Sequence, residues 1–351
     1  MKVLMTGVSE DTKGGMYTVV ENYLNSAEFN KAVELKYIPM STVGSIPRRL
    51  FFSLKGILKI IKELLFHHYE IMHVHMSEKG SVYRKNLVIL ISKLLKVKVV
   101  IHMHGAEFEV WFNNLSAKRK KRVIEIINRG DRIIILGDYW KSFFEKIVND
   151  KNKIIKLYNS VPTYNHNPYN NDARSFLFLG SLIKRKGIYD LLDAIRDISV
   201  YLPHDITFDL YGPNIPKEVN EKIIQYELQE RVFYHGWLKK EQKEKVFGNT
   251  MVNILPSYNE GLPMSILETM AYGIPNISTK VAAIPEAIEN GIKGVLVDKG
   301  DIKGLSDAIL HFINNSQDLN KLSDNCFSTV NKNFSISAHI EKLILIYRDL
   351  K

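Results

Sequence analysis

The stretch VNILPSYNEGLPMSILETMAYGIP, residues 252–275, indicates how this chain folds. Its first four residues are apolar, as in a buried strand, and the polar loop that follows contains Gly261 and Pro263. A run with helical spacing comes next. A strand, a loop and a helix in this order form the unit from which doubly wound parallel sheets are built. Because the loop ends at a helix N-terminus, its backbone N–H groups and the helix dipole favour a bound diphosphate.

The same alternation recurs along the chain, whose 351 residues exceed what one hydrophobic core usually holds. In the N-terminal half the predicted strands are residues 2–6, 71–75, 97–102 and 132–136, and residues 16–24 form the first helix. In the C-terminal half the predicted strands are residues 175–179, 207–211, 232–235, 252–255, 275–278 and 294–297. We therefore predict the α/β class, with two Rossmann-like doubly wound domains that face a central cleft at the carboxyl ends of their strands.

One segment predicts the boundary between the two domains. Residues 161–173, VPTYNHNPYNNDA, are rich in asparagine, contain two prolines and lack aliphatic periodicity, which is typical of a linker. This places an N-terminal domain at residues 1–163 and a C-terminal domain at residues 174–335. The last segment, residues 336–351, has a helical pattern, and we expect it to pack back toward the N-terminal domain.

Positive charge is concentrated in one part of the N-terminal half. Of the formal net charge of +10, residues 48–98 hold +8, from eleven Lys and Arg and three Glu. Within them, residues 50–66 form a predicted helix with apolar side chains at 50, 54, 57, 61 and 64 and lysines at 55, 59 and 62. This spacing is typical of a helix on an anionic membrane, and also of a solvated helix on its own sheet. A polyanion is the third alternative. We expect no nucleic acid, because aromatic and basic residues are not interleaved as stacking platforms.

The sequence also predicts where the protein is located. Its single cysteine, Cys326, cannot form an intrachain disulfide and is compatible with a reducing cytosol. The chain starts without the long apolar stretch of a signal peptide, and no apolar run approaches the roughly 18 residues that span a bilayer. We therefore expect a cytoplasmic protein, with any membrane contact peripheral and on the inner face of the cell membrane.

The pair Glu260 and Glu268 makes the function more specific. With the loop and helix around it, the pair is similar to the glutamate, seven residues, glutamate signature of the family-4 retaining glycosyltransferases of GT-B fold. The resemblance implies that Glu260 approaches the donor sugar and that Glu268 binds the ribose hydroxyls. It also implies that the backbone at Gly261 and Leu262 meets the sugar and the β-phosphate. Two unrelated surface glutamates are the alternative.

A second motif, LGSLIKRKGIYDLL at residues 179–192, resembles the diphosphate-binding segment of the same family. Lys186 matches the family's diphosphate-binding lysine, whose positive charge offsets the charge of the leaving group. The family usually has an arginine where this chain has Ser181. The second cation is therefore absent or supplied by Arg185 or Lys184, unless these residues are a plain basic turn.

Two N-terminal motifs extend the resemblance to nearly the whole chain. Gly14 and Gly15 resemble the family's glycine-rich first loop, where missing side chains let the donor phosphate and the acceptor approach the backbone. His104 resembles the cleft-facing histidine that contacts the donor sugar, and His102, on the same side of the strand, competes for this role. A His-x-His metal site is an alternative, but no third or fourth ligand is near in sequence. The sequence has no Asp-x-Asp, so we expect no metal and no other cofactor.

The resemblance implies a retaining, metal-independent hexosyltransferase of the bacterial surface-polysaccharide type. Its N-terminal domain binds a saccharide or polyprenyl-diphosphate-linked acceptor, and its C-terminal domain binds a nucleotide-sugar, with UDP expected from family frequency. Exopolysaccharide, capsule or O-antigen-like glycan synthesis is the implied pathway, with contact to an anionic membrane through residues 48–98. Three alternatives remain open: a nucleotide-sugar epimerase of the same fold, a noncatalytic glycosyltransferase-like subunit, and a polyanion-binding protein.

Overall fold

The computed structural model describes residues 1–12 and 14–350, which form two units. Unit 1 comprises Met1–Ser160 and Ile336–Lys351, and unit 2 comprises Val161–Ser335. Each unit contains one six-stranded sheet in which every pair of neighbouring strands is parallel. The two sheets confirm the predicted α/β class with two Rossmann-like domains.

The sheet of unit 1 has the order β2-β1-β3-β4-β5-β6. Its strands are β1 (Lys2–Thr6), β2 (Glu34–Tyr37), β3 (Ile71–Met76), β4 (Lys98–Met103), β5 (Arg132–Ile135) and β6 (Ile154–Lys156). Its helices before residue 160 are α1 (Gly15–Leu24), α2 (Ala27–Ala32), α3 (Ile46–Phe66), α4 (Gly80–Leu94), α5 (Phe108–Asn113), α6 (Ala117–Asn128) and α7 (Asp138–Phe144). The chain leaves β1 for β2 on one side and then returns to β3 on the other. The loops after β1 and β3 therefore diverge at the carboxyl edge of the sheet, the usual place for a ligand.

The sheet of unit 2 has the order β12-β11-β10-β7-β8-β9. Its strands are β7 (Ser175–Leu179), β8 (Thr207–Tyr211), β9 (Val232–Tyr234), β10 (Thr250–Leu255), β11 (Asn276–Thr279) and β12 (Gly294–Val297). Its helices are α8 (Ile188–Ile198), α9 (Lys217–Gln225), α10 (Lys243–Gly248), α11 (Met264–Ala271), α12 (Ile284–Ala287), α13 (Ile302–Asn314) and α14 (Leu319–Asn333). Here the strand order reverses between β7 and β10, so the loops after these two strands form the corresponding ligand position.

The predicted strands are all present, and the sequence missed two. Strand β2 is a short edge strand with exposed and half-buried residues in alternation, and β6 has three residues, so neither has a strong apolar signal. The central strands were found because both of their faces are covered. In β3, for example, every residue is buried, which gives a continuous apolar run interrupted only by His73 and His75.

The predicted linker, residues 161–173, is instead a packed part of unit 2. The Asn167 side chain donates to Ser323 Oγ at 2.9 Å, and the Tyr169 hydroxyl donates to the Met251 carbonyl at 2.9 Å. Its asparagines and prolines therefore shape a segment that lies against unit 2. Helix α15 (Ile336–Arg348) belongs to unit 1, where His339, Leu343 and Tyr347 are buried.

Helix α3 packs on unit 1 through a stripe that differs from the predicted one. Its buried residues are Ser53, Gly56, Ile60 and Leu64. Gly56 is needed for this close approach, because a Cβ atom there would lie 2.6 Å from the Pro39 carbonyl oxygen. The small residues turn much of the predicted apolar stripe toward solvent. No helix in the described part of the chain is long and apolar enough to cross a membrane.

Candidate functional site

The two loops at the strand reversal of unit 2 are in direct contact. One loop follows β7 and runs through Lys186 and Gly187, and the other follows β10 and starts at Pro256. Gly187 has φ +74°, and a Cβ atom on it would lie 2.0 Å from the Pro256 carbonyl oxygen. Only glycine accommodates both this backbone conformation and this approach. The contact places the two motifs found in the sequence at one position.

Lys186 and Glu260 form an ion pair across these loops. The distance from Lys186 Nζ to Glu260 Oε1 is 2.5 Å, and the two side chains are 15% and 5% exposed. Ser257 donates its hydroxyl proton to the same carboxylate oxygen at 2.7 Å. A carboxylate this buried needs such partners, because removing a charge from water is unfavourable unless it is paired and hydrogen-bonded. The sequence did not single out Ser257.

Arg185 lies against the same loop. Its guanidinium donates to the Asn259 carbonyl at 2.7 Å, and its own carbonyl accepts from the Tyr258 N–H at 2.8 Å. Lys184 is exposed, and Ser181 is half-buried after β7. Of the two cations that the sequence offered as substitutes for the family's arginine, Arg185 is therefore the one held beside Glu260.

Glu268 lies in the second turn of α11, and the residues just before this helix are buried. Its carboxylate pairs with Lys243 at 2.8 Å, a partner that the sequence did not reveal because it lies on α10, remote along the chain. Gly261 and Leu262 are buried in the loop that leads into α11. The backbone at Gly261 and Leu262 thus leads directly into the N-terminal end of α11.

In unit 1 the glycine loop and His104 both follow strands at the carboxyl edge. Gly14 and Gly15 are exposed at the start of α1, and Gly14 has φ +153°, where an added Cβ atom would have nothing within 4 Å. Lys13, between them and Thr12, lies outside the described residues. His102 is fully buried inside β4, whereas His104 is half-buried just beyond its end. Of the two histidines, only His104 is within reach of a ligand at this edge.

His104 belongs to a cluster of stacked imidazoles on β3 and β4. Its Nε2 is hydrogen-bonded to His75 Nδ1 at 2.8 Å, and His73 Nε2 is 3.3 Å from His102 Nδ1. The ligand nitrogens of His73, His75 and His102 lie within 4.8 Å of one another, so this part of the chain does bring together three metal-ligating groups. Along the sequence no third or fourth ligand is near His102 and His104, and it is the neighbouring strand β3 that brings His73 and His75 beside His102. The sequence-based prediction that no metal is needed stays a prediction.

Burial keeps these imidazoles neutral. It lowers the pKa of His73 and of His104 to about 3, and it lowers the pKa of His75 and His102 as well, with the neighbouring imidazoles and Lys85 adding to the effect. A neutral imidazole has one donor and one acceptor nitrogen. In the hydrogen bond between His75 and His104 one ring therefore donates and the other accepts, and His104 Nδ1 has the role that its Nε2 does not.

Comparisons with known proteins concern the family and the fold of the chain. Residues 164–328 match the family model described as Glycosyl transferases group 1. A Klebsiella pneumoniae protein described as an uncharacterized 41.2 kDa protein in the cps region is 26% identical, over 97% of this chain and 98% of its own length. The UDP-Gal:alpha-D-GlcNAc-diphosphoundecaprenol alpha-1,3-galactosyltransferase of Escherichia coli is 24% identical, over 86% of this chain and 81% of its own length. Sucrose-phosphate synthase from Thermosynechococcus elongatus superposes with a TM-score of 0.81 at 17% identity, over 100% of this chain and 99% of that one. These findings confirm the GT-B fold and the family resemblance.

Proposed function

We propose that this chain, a glycosyltransferase of GT-B fold, transfers a hexose from a UDP-sugar to a lipid-linked or saccharide acceptor, with retention and without a metal ion. The observation that carries the proposal is the buried pair of Lys186 and Glu260, with Arg185 beside it, at the strand reversal of unit 2. A diphosphate at this position meets two cations and the N-terminal end of α11.

Lys186 has two alternative partners in this scheme. Without a donor its ammonium neutralises Glu260. When a diphosphate binds, the flexible lysine side chain turns to the phosphate oxygens, and Arg185 remains as the planar second cation. Together they stabilise the charge that grows on the leaving diphosphate, which is the work of a divalent metal in other transferases. Glu260 is then released to accept hydrogen bonds from sugar hydroxyls.

The remaining residues orient the sugar and the nucleoside. Glu268 accepts hydrogen bonds from the ribose hydroxyls, and the backbone at Gly261 and Leu262 approaches the sugar and the β-phosphate. The family resemblance assigns His104 a contact with the donor sugar, and it assigns Gly14 and Gly15 to a loop that leaves room for the phosphate and the acceptor. An acceptor hydroxyl attacks the anomeric carbon of the donor sugar on its front face while the bond from that carbon to the diphosphate oxygen breaks. The hydroxyl proton passes to the leaving diphosphate. Glu260 positions the sugar and is not a covalent nucleophile.

The acceptor class is proposed from the relatives and from helix α3. The Escherichia coli relative is named for a diphosphoundecaprenol acceptor, and the Klebsiella pneumoniae relative for its place in a cps region. We place this chain in the same kind of pathway, the synthesis of capsule, exopolysaccharide or O-antigen-like glycans. Helix α3 supports a membrane-borne acceptor, because several of its large apolar side chains are more than half exposed: Ile46, Leu50, Phe51, Leu54, Leu58, Leu65 and Phe66.

The basic residues of α3 complete an interfacial surface. On the helical wheel, the exposed leucines 50, 54, 58 and 65 form an apolar surface of α3 that we call the leucine face. Four exposed basic residues lie beside it: Arg48, Lys55, Lys59 and Lys62. We expect the protein to bind vesicles with anionic lipids, and Lys55, Lys59 and Lys62 changed together to Glu to abolish that binding. Changing Lys118, Arg119 and Lys121, exposed on α6, gives the matched control. Equal vesicle binding by both variants would refute the membrane role of α3.

The donor proposal is tested by calorimetry in the presence of a chelator. We expect UDP to bind, GDP and ADP to bind at least about tenfold more weakly, and Glu268→Ala to weaken UDP binding. Lys243→Met, which removes the partner of Glu268 without touching the nucleoside, is the control. If no nucleotide binds the wild-type protein, the chain is a noncatalytic subunit. If donor is converted to its epimer without acceptor, it is an epimerase.

A further inference from the structure

A pocket of about 350 Å³ lies at the strand reversal of unit 1. It is built from three successive loops: Val8 and Thr12 follow β1, residues 41–44 follow β2, and Ser77 follows β3. The first turn of α3 and the first turns of α4 close it. This is the position in unit 1 that corresponds to the Lys186–Glu260 position in unit 2, namely the place where an open α/β sheet binds ligands.

Three cationic side chains line this pocket: Arg49, Arg84 and Lys85. In the described part of the chain, no carboxylate lies within ion-pair distance of Arg49 or Arg84. Arg84 is half-buried. Its burial lowers the pKa of the Arg84 guanidinium, and the positive charge of Arg49 lowers it further. Two guanidiniums thus repel each other at one pocket without a counter-charge. An anion between them would remove the repulsion and form charge-assisted hydrogen bonds with both.

Hydroxyl groups supply the rest of the polar lining. Thr12, Ser41, Thr42, Ser77 and Ser81 all face this pocket, and its described lining contains no carboxylate. Ser81 Oγ accepts from the buried Lys85 ammonium at 2.9 Å, and Ser41 Oγ is 3.4 Å from Arg84 Nη2. Hydroxyls and guanidiniums together match the oxygens of a phosphate or diphosphate ester, which accept several hydrogen bonds and carry negative charge.

We propose that this pocket binds the phosphoryl group of the acceptor, a phosphate or diphosphate ester, between Arg49 and Arg84. The inference rests on the proposed function, in which the donor diphosphate is already held by Lys186 and Arg185 of unit 2. The pocket in unit 1 therefore serves a second anion. Its rim supports a lipid-borne ester, because Arg49 is in the first turn of α3, the helix with the exposed leucine face.

The test uses the full chain with chelator and with UDP present in excess, so that the donor site is filled. Geranyl diphosphate and inorganic pyrophosphate are titrated into this protein by calorimetry. The test variant is Arg49→Gln combined with Arg84→Gln. The control is Arg119→Gln, which removes the same charge from an exposed side chain on α6 that is outside this pocket's lining. UDP affinity is measured for every variant.

We expect geranyl diphosphate to bind the wild type and the Arg119 variant equally, and to bind the double variant at least about tenfold more weakly. UDP affinity should be the same in all three proteins. Geranyl diphosphate that binds more tightly than pyrophosphate identifies a lipid-linked acceptor, whereas equal affinities identify a water-soluble phosphorylated acceptor. Arg49→Gln alone, at an exposed position, provides the same comparison if the double variant is unstable.

Two results would overturn the inference. One is that neither probe binds the UDP-loaded wild type. The other is that the double variant, or the Arg49 variant where the double variant does not fold, binds both probes as the wild type does. Failure of UDP itself to bind is a different result, because it contradicts the proposed donor site in unit 2 and not the pocket in unit 1. Geranyl diphosphate and pyrophosphate are then titrated into the wild type and the variants without UDP.

Discussion

Removing Lys186 should destabilise unit 2 as well as abolish activity, because its ammonium neutralises a carboxylate that is only 5% exposed. At the observed separation of 2.5 Å, the gross Coulomb attraction is about 7 kcal/mol with an effective dielectric constant of about 20. Desolvation of both groups offsets most of this attraction. Leaving one partner buried and uncompensated nevertheless costs about 3–5 kcal/mol. We take about 3 kcal/mol for Lys186→Met, since Ser257 still donates to Glu260.

The double-mutant cycle separates this structural role from the catalytic one. Glu260→Gln should cost about 1–2 kcal/mol, since the amide keeps a hydrogen bond to Ser257 and Lys186 can reach water. Lys186→Met with Glu260→Gln should cost far less than the two single changes added, with a coupling energy of about 2 kcal/mol. Activity should be lost in all three variants.

The assay is urea denaturation of nucleotide-free protein, followed by circular dichroism, with transfer activity measured in parallel. Thermal unfolding should agree, at about 2–4 °C per kcal/mol for a domain of this size. Two results would show that the ion pair does not neutralise Glu260 in the free protein. One is that Lys186→Met is as stable as the wild type. The other is that the loss of stability in the double variant equals the sum of the losses in the two single variants. The proposed exchange of partners by Lys186 would then be refuted.

Three further predictions concern titration and binding. Burial lowers the pKa of His339 to about 4 and that of His73 to about 3, so the unfolded chain binds more protons below its usual pKa of about 6.5. The contribution of these histidines to the free energy of unfolding should therefore be fully present above about pH 6.5 and be lost as the pH falls toward about 4. In urea titrations, His102→Leu should make that fall shallower. Burial, together with the charge of Arg84, lowers the pKa of Lys85 to about 7. Binding of geranyl diphosphate at pH 7 should therefore be accompanied by uptake of up to about half a proton. Calorimetry in buffers of different ionisation enthalpy detects this uptake, which should be absent in Lys85→Met. Glu268→Gln should raise the KM for a UDP-sugar about tenfold with little change in kcat, which steady-state kinetics will show.

Much of the fold followed from the sequence because the central strands of doubly wound sheets are covered on both faces. Their continuous apolar runs between polar loops were visible, as at residues 252–255, and four predicted strands have the bounds that the structure shows. The edge strands Glu34–Tyr37 and Ile154–Lys156 were not found, since a short half-exposed strand has the composition of a loop. Residues 161–173 were misassigned for a related reason. Asparagine and proline indicate an irregular backbone, and they do not distinguish a free linker from a segment packed by side-chain hydrogen bonds.

The sequence indicated the residues of the candidate donor site, but not the residues that contact them. Lys186, Glu260 and Glu268 lie in motifs with a fixed local order, and the strand reversal brings the first two into contact. Lys243 has no motif and reaches Glu268 from another helix, so only the tertiary structure identifies it. The histidine cluster shows the same limit. Register pairs His75 with His102 on neighbouring strands, and this pairing cannot be read from either strand alone.

The basic segment, residues 48–98, shows why a charge count along a sequence is not a description of a surface. Its net charge of +8 suggested one field that faces a membrane or a polyanion. In the structure the Lys55 side chain is exposed, Arg84 is half-buried at a pocket, and Lys85 is inside the unit at 2% exposure. A lysine on an open helix face acts over a Debye length of about 8 Å and is screened by salt. A guanidinium in a pocket without a counter-ion acts at contact distance and is screened much less. Salt should therefore weaken vesicle binding by α3 strongly, and it should weaken phosphoryl binding between Arg49 and Arg84 only modestly. The two proposed roles of this segment thus differ in their dependence on ionic strength.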